Sequence, residues 1–341
     1  STPITIDGRL EDPAWEAVPW WEDHVDIEGF NKTVPRFRTR GKMLWDDTHF
    51  YVAAYLDEPH VWGTLTRHDS VIFQDNDFEV FIDPDGDNQQ YYEIEINALN
   101  TEWDLRLVKA YRNGGPALNE WEIPGLRHAT HVDGTLNHPD DTDKGWSVEF
   151  AFPWESLKEF ANRPCPPNDG DQWRINFSRV QWVVDIIDGA YRKVAGRRED
   201  NWIWSPQGFV DMHRPETWGF LQFSRVEAGK GVAAFNRDPD HPARMYLMKV
   251  CFAQADFKGR HGRWAGSVEE LGLAGDSGPE KARNETNKRL EDQGLAPKDN
   301  ARFAASARIE VTEQGYKASV DSTRRGRWHV REDSRLWHEP K

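Results

Sequence analysis

Carboxylates dominate the residues of this chain that could do chemistry, and a dense set falls between Asp75 and Asn97. Phe78, Val80 and Ile82 alternate with Asp77, Glu79 and Phe81; after Asp83-Pro84-Asp85-Gly86-Asp87-Asn88, Tyr92, Ile94 and Ile96 alternate with Glu93, Glu95 and Asn97. Period-two alternation reads as two strands of a hairpin, each with one apolar face turned inward. A turn centred near Asp87 sets Glu79 opposite Glu95 and Phe81 opposite Glu93. Glu79, Glu93, Glu95 and Asn97 then share the face away from the core. Like charges directly opposite on a sheet are destabilising. An arginine, a bound cation, or a proton held by a carboxyl of raised pKa must offset them. Arg174 and Asn176 run out of phase with Trp173, Ile175 and Phe177 and are candidates for the same polar face, as is Glu149.

Two readings of that face stay open: a solvated surface with ordinary charge pairs, or a polar glycan site. In the second, carboxylates and amides take hydrogen bonds from sugar hydroxyls while a ring packs on a C–H face. Paired carboxylates are also what glycosidases need. For catalysis the candidates are Glu79, Glu95, Asp77 and Asp104, with His213 as an auxiliary acid or base. Asp83, Asp85 and Asp87 carry the every-second-residue spacing of a calcium loop, because a hard cation wants several oxygens on a tight turn; a plain polar hairpin loop is the alternative. No HExxH and no Cys/His cluster points to zinc or copper. No GxSxG, P-loop or GxGxxG occurs, so no nucleotide, haem or flavin is implied.

The elements that must position these groups are legible in outline. The chain has 341 residues, with 17 Trp and 17 Phe, enough to bury a sizeable core. Short alternating segments broken by Gly, Pro, Asp and Asn fill the first two-thirds. Phe50, Val52 and Ala54 face inward from one; Trp146, Val148 and Phe150, then Trp173, Ile175 and Phe177, do so from later ones. Sheets that each bury one side pair into a β-sandwich. The expected fold is mainly β: an antiparallel sandwich over residues 1–225, a linker over 226–240, and a small α+β domain over 241–341. That last domain has a helix over 241–258, a short helix starting near Ser267 with Glu270 in a capping box, a charged loop from Asp276 to Asp299, and a hairpin of Ala307–Thr312 with Tyr316–Asp321. The formal charge of −15 disfavours nucleic acid and anionic lipid. Cys165 and Cys251 stand alone, each in a different predicted domain. No apolar run is long enough to span a membrane, and the chain shows no signal peptide; the oligomeric state cannot be read.

Five segments carry a family resemblance: Ile4–Trp15 (ITIDGRLEDPAW), Met43–Val52 (MLWDDTHFYV), Asp75–Asp83 (DNDFEVFID), Gly145–Glu149 (GWSVE) and Trp218–Leu221 (WGFL). Together they resemble the family 9 carbohydrate-binding modules over roughly residues 3–224. The resemblance implies a sandwich that binds sugars, with structural calcium in some members. The family has a ligand-binding Glu where Glu79 falls and an Asn near Asn97. It clamps a terminal sugar between two Trp rings, and those positions fall at Phe73 and Met212 here, a departure because methionine has no ring. Trp202 and Trp204, just before the loop Ser205-Pro206-Gln207-Gly208, are the candidate replacement platform. The expected role is a secreted, periplasmic or cell-surface glycan-binding protein. A glycoside hydrolase or polysaccharide lyase on the same scaffold, and an adaptor whose C-terminal domain docks another protein, are the alternatives.

Overall fold

The structure is a computed structural model and describes residues 4–274, 285–292, 294–297 and 300–341. Two antiparallel sheets face each other. The smaller has four strands in the order Thr39–Trp45, His49–Asp57, Gly145–Pro153, Arg127–Asp133. The larger is built around Gln172–Gln181, Asp77–Asp83, Gln89–Asn97 and Glu102–Lys109, with Asp200–Ile203 and Gly219–Gln222 pairing successive stretches of the first. Between the sheets, Phe50, Val52, Ala54, Phe78, Val80, Ile82, Ile94, Ile96, Trp146, Val148, Phe150, Trp173, Ile175 and Phe177 form one buried cluster. These are the inward positions that the alternation marks.

The hairpin register is the one expected: Glu79 pairs with Glu95, Phe81 with Glu93 and Asp77 with Asn97. One expectation fails. The strands were to bury a single side, yet every residue of Asp77–Asp83 is buried. Intervening loops cover the outer face of the large sheet. Ile72, from the segment before Asp77, and Met212 and Trp218, from the segment after Ile203, pack with Phe81, Tyr91, Trp103, Leu105 and Leu107 in a second apolar cluster.

The small sheet is covered too, and this removes Glu149 from the candidate face. Glu149 is buried on the outer side of the small sheet. Its Oε2 accepts the backbone N–H groups of Asp7 at 3.0 Å and Gly8 at 2.8 Å, and its Oε1 accepts the Trp15 indole N–H at 2.6 Å. The opening Asp7-Gly8…Trp15 motif is thus a strap tied to one carboxylate. Gly8 sits at φ +81°, with backbone of Thr130 where a Cβ would go, so no other residue fits.

After the irregular stretch 226–240, the helix His241–His261 lies on a four-stranded sheet, Arg308–Val311, Tyr316–Asp321, Arg327–Arg331, Leu336–Glu339. Tyr246, Leu247, Val250, Phe257, Tyr316, Val320 and Val330 share its core. The helix outruns its expected end and stops at Gly262, which takes the left-handed conformation. Ser267–Gly272 makes turns rather than a helix, although the Glu270 N–H still reaches the Ser267 hydroxyl at 3.4 Å. Within the stretch expected as a loop, Glu285–Asp292 is helical, and its Glu291 pairs with the buried Lys249; residues 276–284 lie outside the described ones. The last two strands carry no clear alternation and were not expected.

Candidate functional site

Asp77, Glu79, Glu93 and Glu95 stand side by side on the loop-covered face of the large sheet, all buried. One oxygen from each of Asp77, Glu79 and Glu95 lies within 4.8 Å of the others. Asp77 accepts the Val180 N–H at 3.0 Å and Glu95 accepts the Phe73 N–H at 2.8 Å. The remaining oxygen of Asp77 and one oxygen each of Glu79 and Glu93 are buried with no hydrogen-bond donor among the described residues. An unpaired buried charge is costly, so desolvation raises all four acids. Glu79 rises to about 7; Asp77, Glu93 and Glu95 rise well above the usual carboxylate range, helped by their mutual repulsion. Burial and mutual repulsion raise these acids, and no arginine is hydrogen-bonded to the four carboxyl groups among the described residues.

The arginine is engaged elsewhere. Arg174 donates to the Trp218 carbonyl, approaches His241 at 3.1 Å and lies 3.7 Å from the Phe220 ring centre. It belongs to the wall of a cavity of about 390 Å³ shared with His241, not to the carboxylate cluster. Asn176 uses its amide to hold Ser205, donating to the carbonyl at 2.9 Å and accepting the N–H at 3.0 Å. Asn97 is likewise committed: it donates to the Leu65 carbonyl and Asp75, and accepts from Leu99 and Thr101. These two side chains shape the loops around the cluster: Asn97 has both its N–H groups engaged, while Asn176 donates one of its two.

The expected aromatic platform is corrected. Trp202 pairs with Arg179, one position out of phase with Ser178, which lies opposite Glu79. Alternation therefore puts Trp202 on the other face of the sheet, only 3% exposed, with the Arg179 guanidinium 5.2 Å from its ring. Trp204 packs edge-on to Phe177, against the sandwich core, its ring flush on Gly219 where a Cβ would clash. Neither ring faces the carboxylates. Phe73 does border them, through its bond to Glu95, and Met212 lies in the same cluster as Phe73, but buried.

Two further rings stand beside the site: Tyr111, which no sequence signal marks, and Trp182, whose place near a strand end makes it a candidate exposed aromatic in the sequence. Tyr111 is half exposed, its ring 4.4 Å from that of His213, and Glu93 and Glu95 help burial to push its hydroxyl up to about 12. Trp182 is partly exposed and donates to the Phe73 carbonyl at 2.9 Å. Both follow strand ends, where periodicity carries no information.

The catalytic set does not assemble as expected. Asp104 pairs with Ile94, on the sheet face opposite Glu79. His213 does approach the cluster, 4.0 Å from Glu93 and 3.0 Å from the Tyr91 hydroxyl. Burial, aided by Arg112, lowers its pKa to about 3, so it is neutral near pH 7. An acid–base pair needs environments that push two groups apart; here Asp77, Glu79 and Glu95 are all pushed the same way.

At the hairpin turn, one oxygen from each of Asp83, Asp85 and Asp87 also lies within 4.8 Å of the others. Asp83 accepts the Gly86 and Asn88 N–H groups, Asp85 accepts from Asn162, and Asp87 accepts from Arg335 at 3.1 Å. Repulsion within this trio adds to burial in raising Asp87 to about 7.

Residues 6–170 match the family model described as carbohydrate family 9 binding domain-like. An exoglucanase of Acetivibrio thermocellus is 26% identical over 156 residues, which make up 46% of this chain and 12% of the relative. An endo-1,4-beta-xylanase of Thermoanaerobacterium saccharolyticum is 27% identical over 156 residues, 46% of this chain and 11% of the relative. The match therefore spans a small part of either enzyme. Among solved structures, a family 9 carbohydrate-binding module of Caldicellulosiruptor kristjanssonii in complex with glucose aligns with a TM-score of 0.45 at 16% identity, covering 69% of this chain and 96% of the module.

Proposed function

We propose that this chain, whose residues 6–170 are a family 9 carbohydrate-binding-like domain, binds a poly- or oligosaccharide at the Asp77, Glu79, Glu93 and Glu95 cluster. The observation that carries the reading is the set of buried carboxylate oxygens on Asp77, Glu79 and Glu93 without a donor. A sugar presents many hydroxyl donors in one rigid ring, and carboxylates accept them without needing a proton of their own. Phe73, Tyr111 and Trp182, each partly exposed, stand beside the acids to pack on the sugar's C–H face. The relatives, an exoglucanase and an endo-1,4-beta-xylanase, support a glycan ligand, and a place of action outside the cell goes with that reading. Among the described residues no helix is long and apolar enough to cross a membrane.

Affinity electrophoresis in gels containing a polysaccharide panel, with chromatography of the incubated mixtures, tests this. Retardation without released products is expected. Released products would make the chain a hydrolase or lyase, and neither retardation nor products would remove the reading. Glu79→Gln should weaken binding by about 1–3 kcal/mol, while Lys158→Ala, an exposed control, should leave it unchanged. Equal binding by both variants would place the site elsewhere.

A structural calcium ion at Asp83, Asp85 and Asp87 forms the second part of the reading. Three carboxylates gather there, and Arg335 is the one cation hydrogen-bonded to them among the described residues. An ion bound by the folded state alone raises the melting temperature. Calcium added to chelator-treated protein should do so, and Asp85→Asn should diminish the rise. No shift with either chelator or calcium would dismiss the ion.

A further inference from the structure

A separate cluster lies where the loop before Asp77, the strand Glu102–Lys109 and the segment after Leu118 meet. One ring nitrogen of His68 and one oxygen from each of Asp69, Asp104 and Glu122 all lie within 4.8 Å of one another. His68 Nε2 is 2.8 Å from Glu122 and 3.5 Å from Asp69. Acids grouped near a surface are common, but two further facts set this group apart. Asp104 is only 2% exposed, and while its Oδ2 accepts the Ile123 N–H, its Oδ1 is buried without a donor. The other ring nitrogen of His68, Nδ1, is 3.2 Å from Glu102, whose second oxygen is paired with His128. That is the arrangement by which an outer carboxylate fixes an imidazole tautomer and leaves Nε2 free to coordinate.

We propose that His68, Asp69, Asp104 and Glu122 form a binding site for a divalent transition metal, with zinc the best-matched ion and Glu102 the positioning residue for His68. Zinc–nitrogen and zinc–oxygen bonds of about 2.0–2.2 Å set tetrahedral ligand atoms roughly 3.4 Å apart. The observed 2.8 and 3.5 Å separations bracket that value, and all four ligand atoms lie within 4.8 Å of one another. The imidazole is the discriminating ligand: calcium prefers six to eight oxygens, whereas an imidazole among carboxylates favours zinc and its neighbours. The ion would tie three chain segments, the outermost 54 residues apart in sequence, to the edge of the large sheet. That dispersal is why no metal motif appears in the sequence.

The test uses the full, tag-free chain after chelator treatment and dialysis. Calorimetric titration with zinc chloride should show one site, and cobalt(II) at the same site should give the visible absorption of a four-coordinate ion. His68→Gln and Asp104→Asn should each weaken zinc binding at least tenfold, while Glu227→Gln, an exposed carboxylate of the linker, should not. His68 is substantially exposed, so its variant remains folded and decides the matter if Asp104→Asn does not fold. Zinc binding unchanged in His68→Gln would overturn the proposal and leave a cluster of charged surface groups. Calcium competing equally with zinc would overturn the choice of a transition metal.

Discussion

Glu79 is buried, and burial moves its titration toward neutrality. Its pKa is about 7 in the folded chain against 4.5 when solvated, because burial disfavours its charge. Between those values the folded state holds a proton that the unfolded state has lost. The stability this contributes is complete below pH 4.5 and disappears as the pH rises through 7. The slope is at most about 1.4 kcal/mol per pH unit for one proton. Buried His24 and His213, whose pKa values fall to about 3, act in the opposite sense below pH 6.5. The whole protein's melting curve therefore mixes the two, and the difference between parent and Glu79→Gln reports the acid together with the relief of its repulsion on Asp77, Glu93 and Glu95. The variant should lose relative stability toward pH 4.5 and gain it toward pH 7.5. A parallel pair of curves would mean that Glu79 stays ionised. Sugar hydroxyls donate best to the ionised form, so glycan binding should also release protons, visible as a buffer-dependent calorimetric heat near pH 6. The position of Glu79 opposite Glu95 was legible from alternation and one turn. That Asn97 and Asn176 would be committed to loop backbone was not, because their partners are 29 to 32 residues away and sit in irregular segments.

Among the elements, strands were readable where one face is apolar and the other polar. Phe78, Val80 and Ile82 mark the interior without help from any other part of the chain. The covering loops were not readable, since bringing Met212 and Phe73 to one apolar cluster depends on how two irregular segments fold back over a sheet. The same limit misplaced Trp202, whose side of the sheet depends on a register with Arg179 that no local pattern reveals. The opening strap is the clearest case of an element held by a single residue. Its Asp7 and Gly8 N–H groups and the Trp15 indole all converge on Glu149. Glu149→Ala would strand these donors beneath the strap. A loss of about 2–4 kcal/mol is expected, since each buried unsatisfied polar group costs about 1–3 kcal/mol. Glu149→Gln keeps one acceptor and should lose less. Chemical denaturation of the two variants measures this directly, and equal, negligible losses would mean the strap is held by packing alone.

For the molecule as a whole, the question is how far the sandwich depends on the C-terminal region. The main apolar cluster draws only on residues from Phe50 to Phe223, with its partly buried fringe starting at Trp21, and the C-terminal cluster only on residues from Ala243 to Leu336. The join between them combines polar contacts with one small apolar cluster around Phe209. Leu336 N–H reaches the Asp87 carbonyl at 3.0 Å, Asn88 reaches the Ser334 carbonyl at 3.0 Å, Asn113 reaches the Asp333 carbonyl at 2.9 Å, and Lys109 pairs with Asp333 at 3.1 Å. Separate cores are the mark of units that fold independently. Truncation after Arg225 should therefore leave a cooperative thermal transition, at a lower temperature because Asp87, Asn88 and Asn113 lose partners. A second effect arises at the loop over the carboxylates. Its Phe209 packs beside Met245, Leu290 and Ala296, and Arg214 lies 5.4 Å from the Phe252 ring, so the C-terminal region braces this loop from outside. Without the brace, the loop should open more often, and a loop that opens locally binds less tightly than one held closed. The truncated sandwich is expected to bind the same glycans as the full chain, but more weakly and with faster release. Differential scanning calorimetry and affinity electrophoresis on the same preparation separate the possibilities. No cooperative transition would show that the two regions fold as one. A cooperative transition with unchanged affinity would show that the covering loop needs no brace.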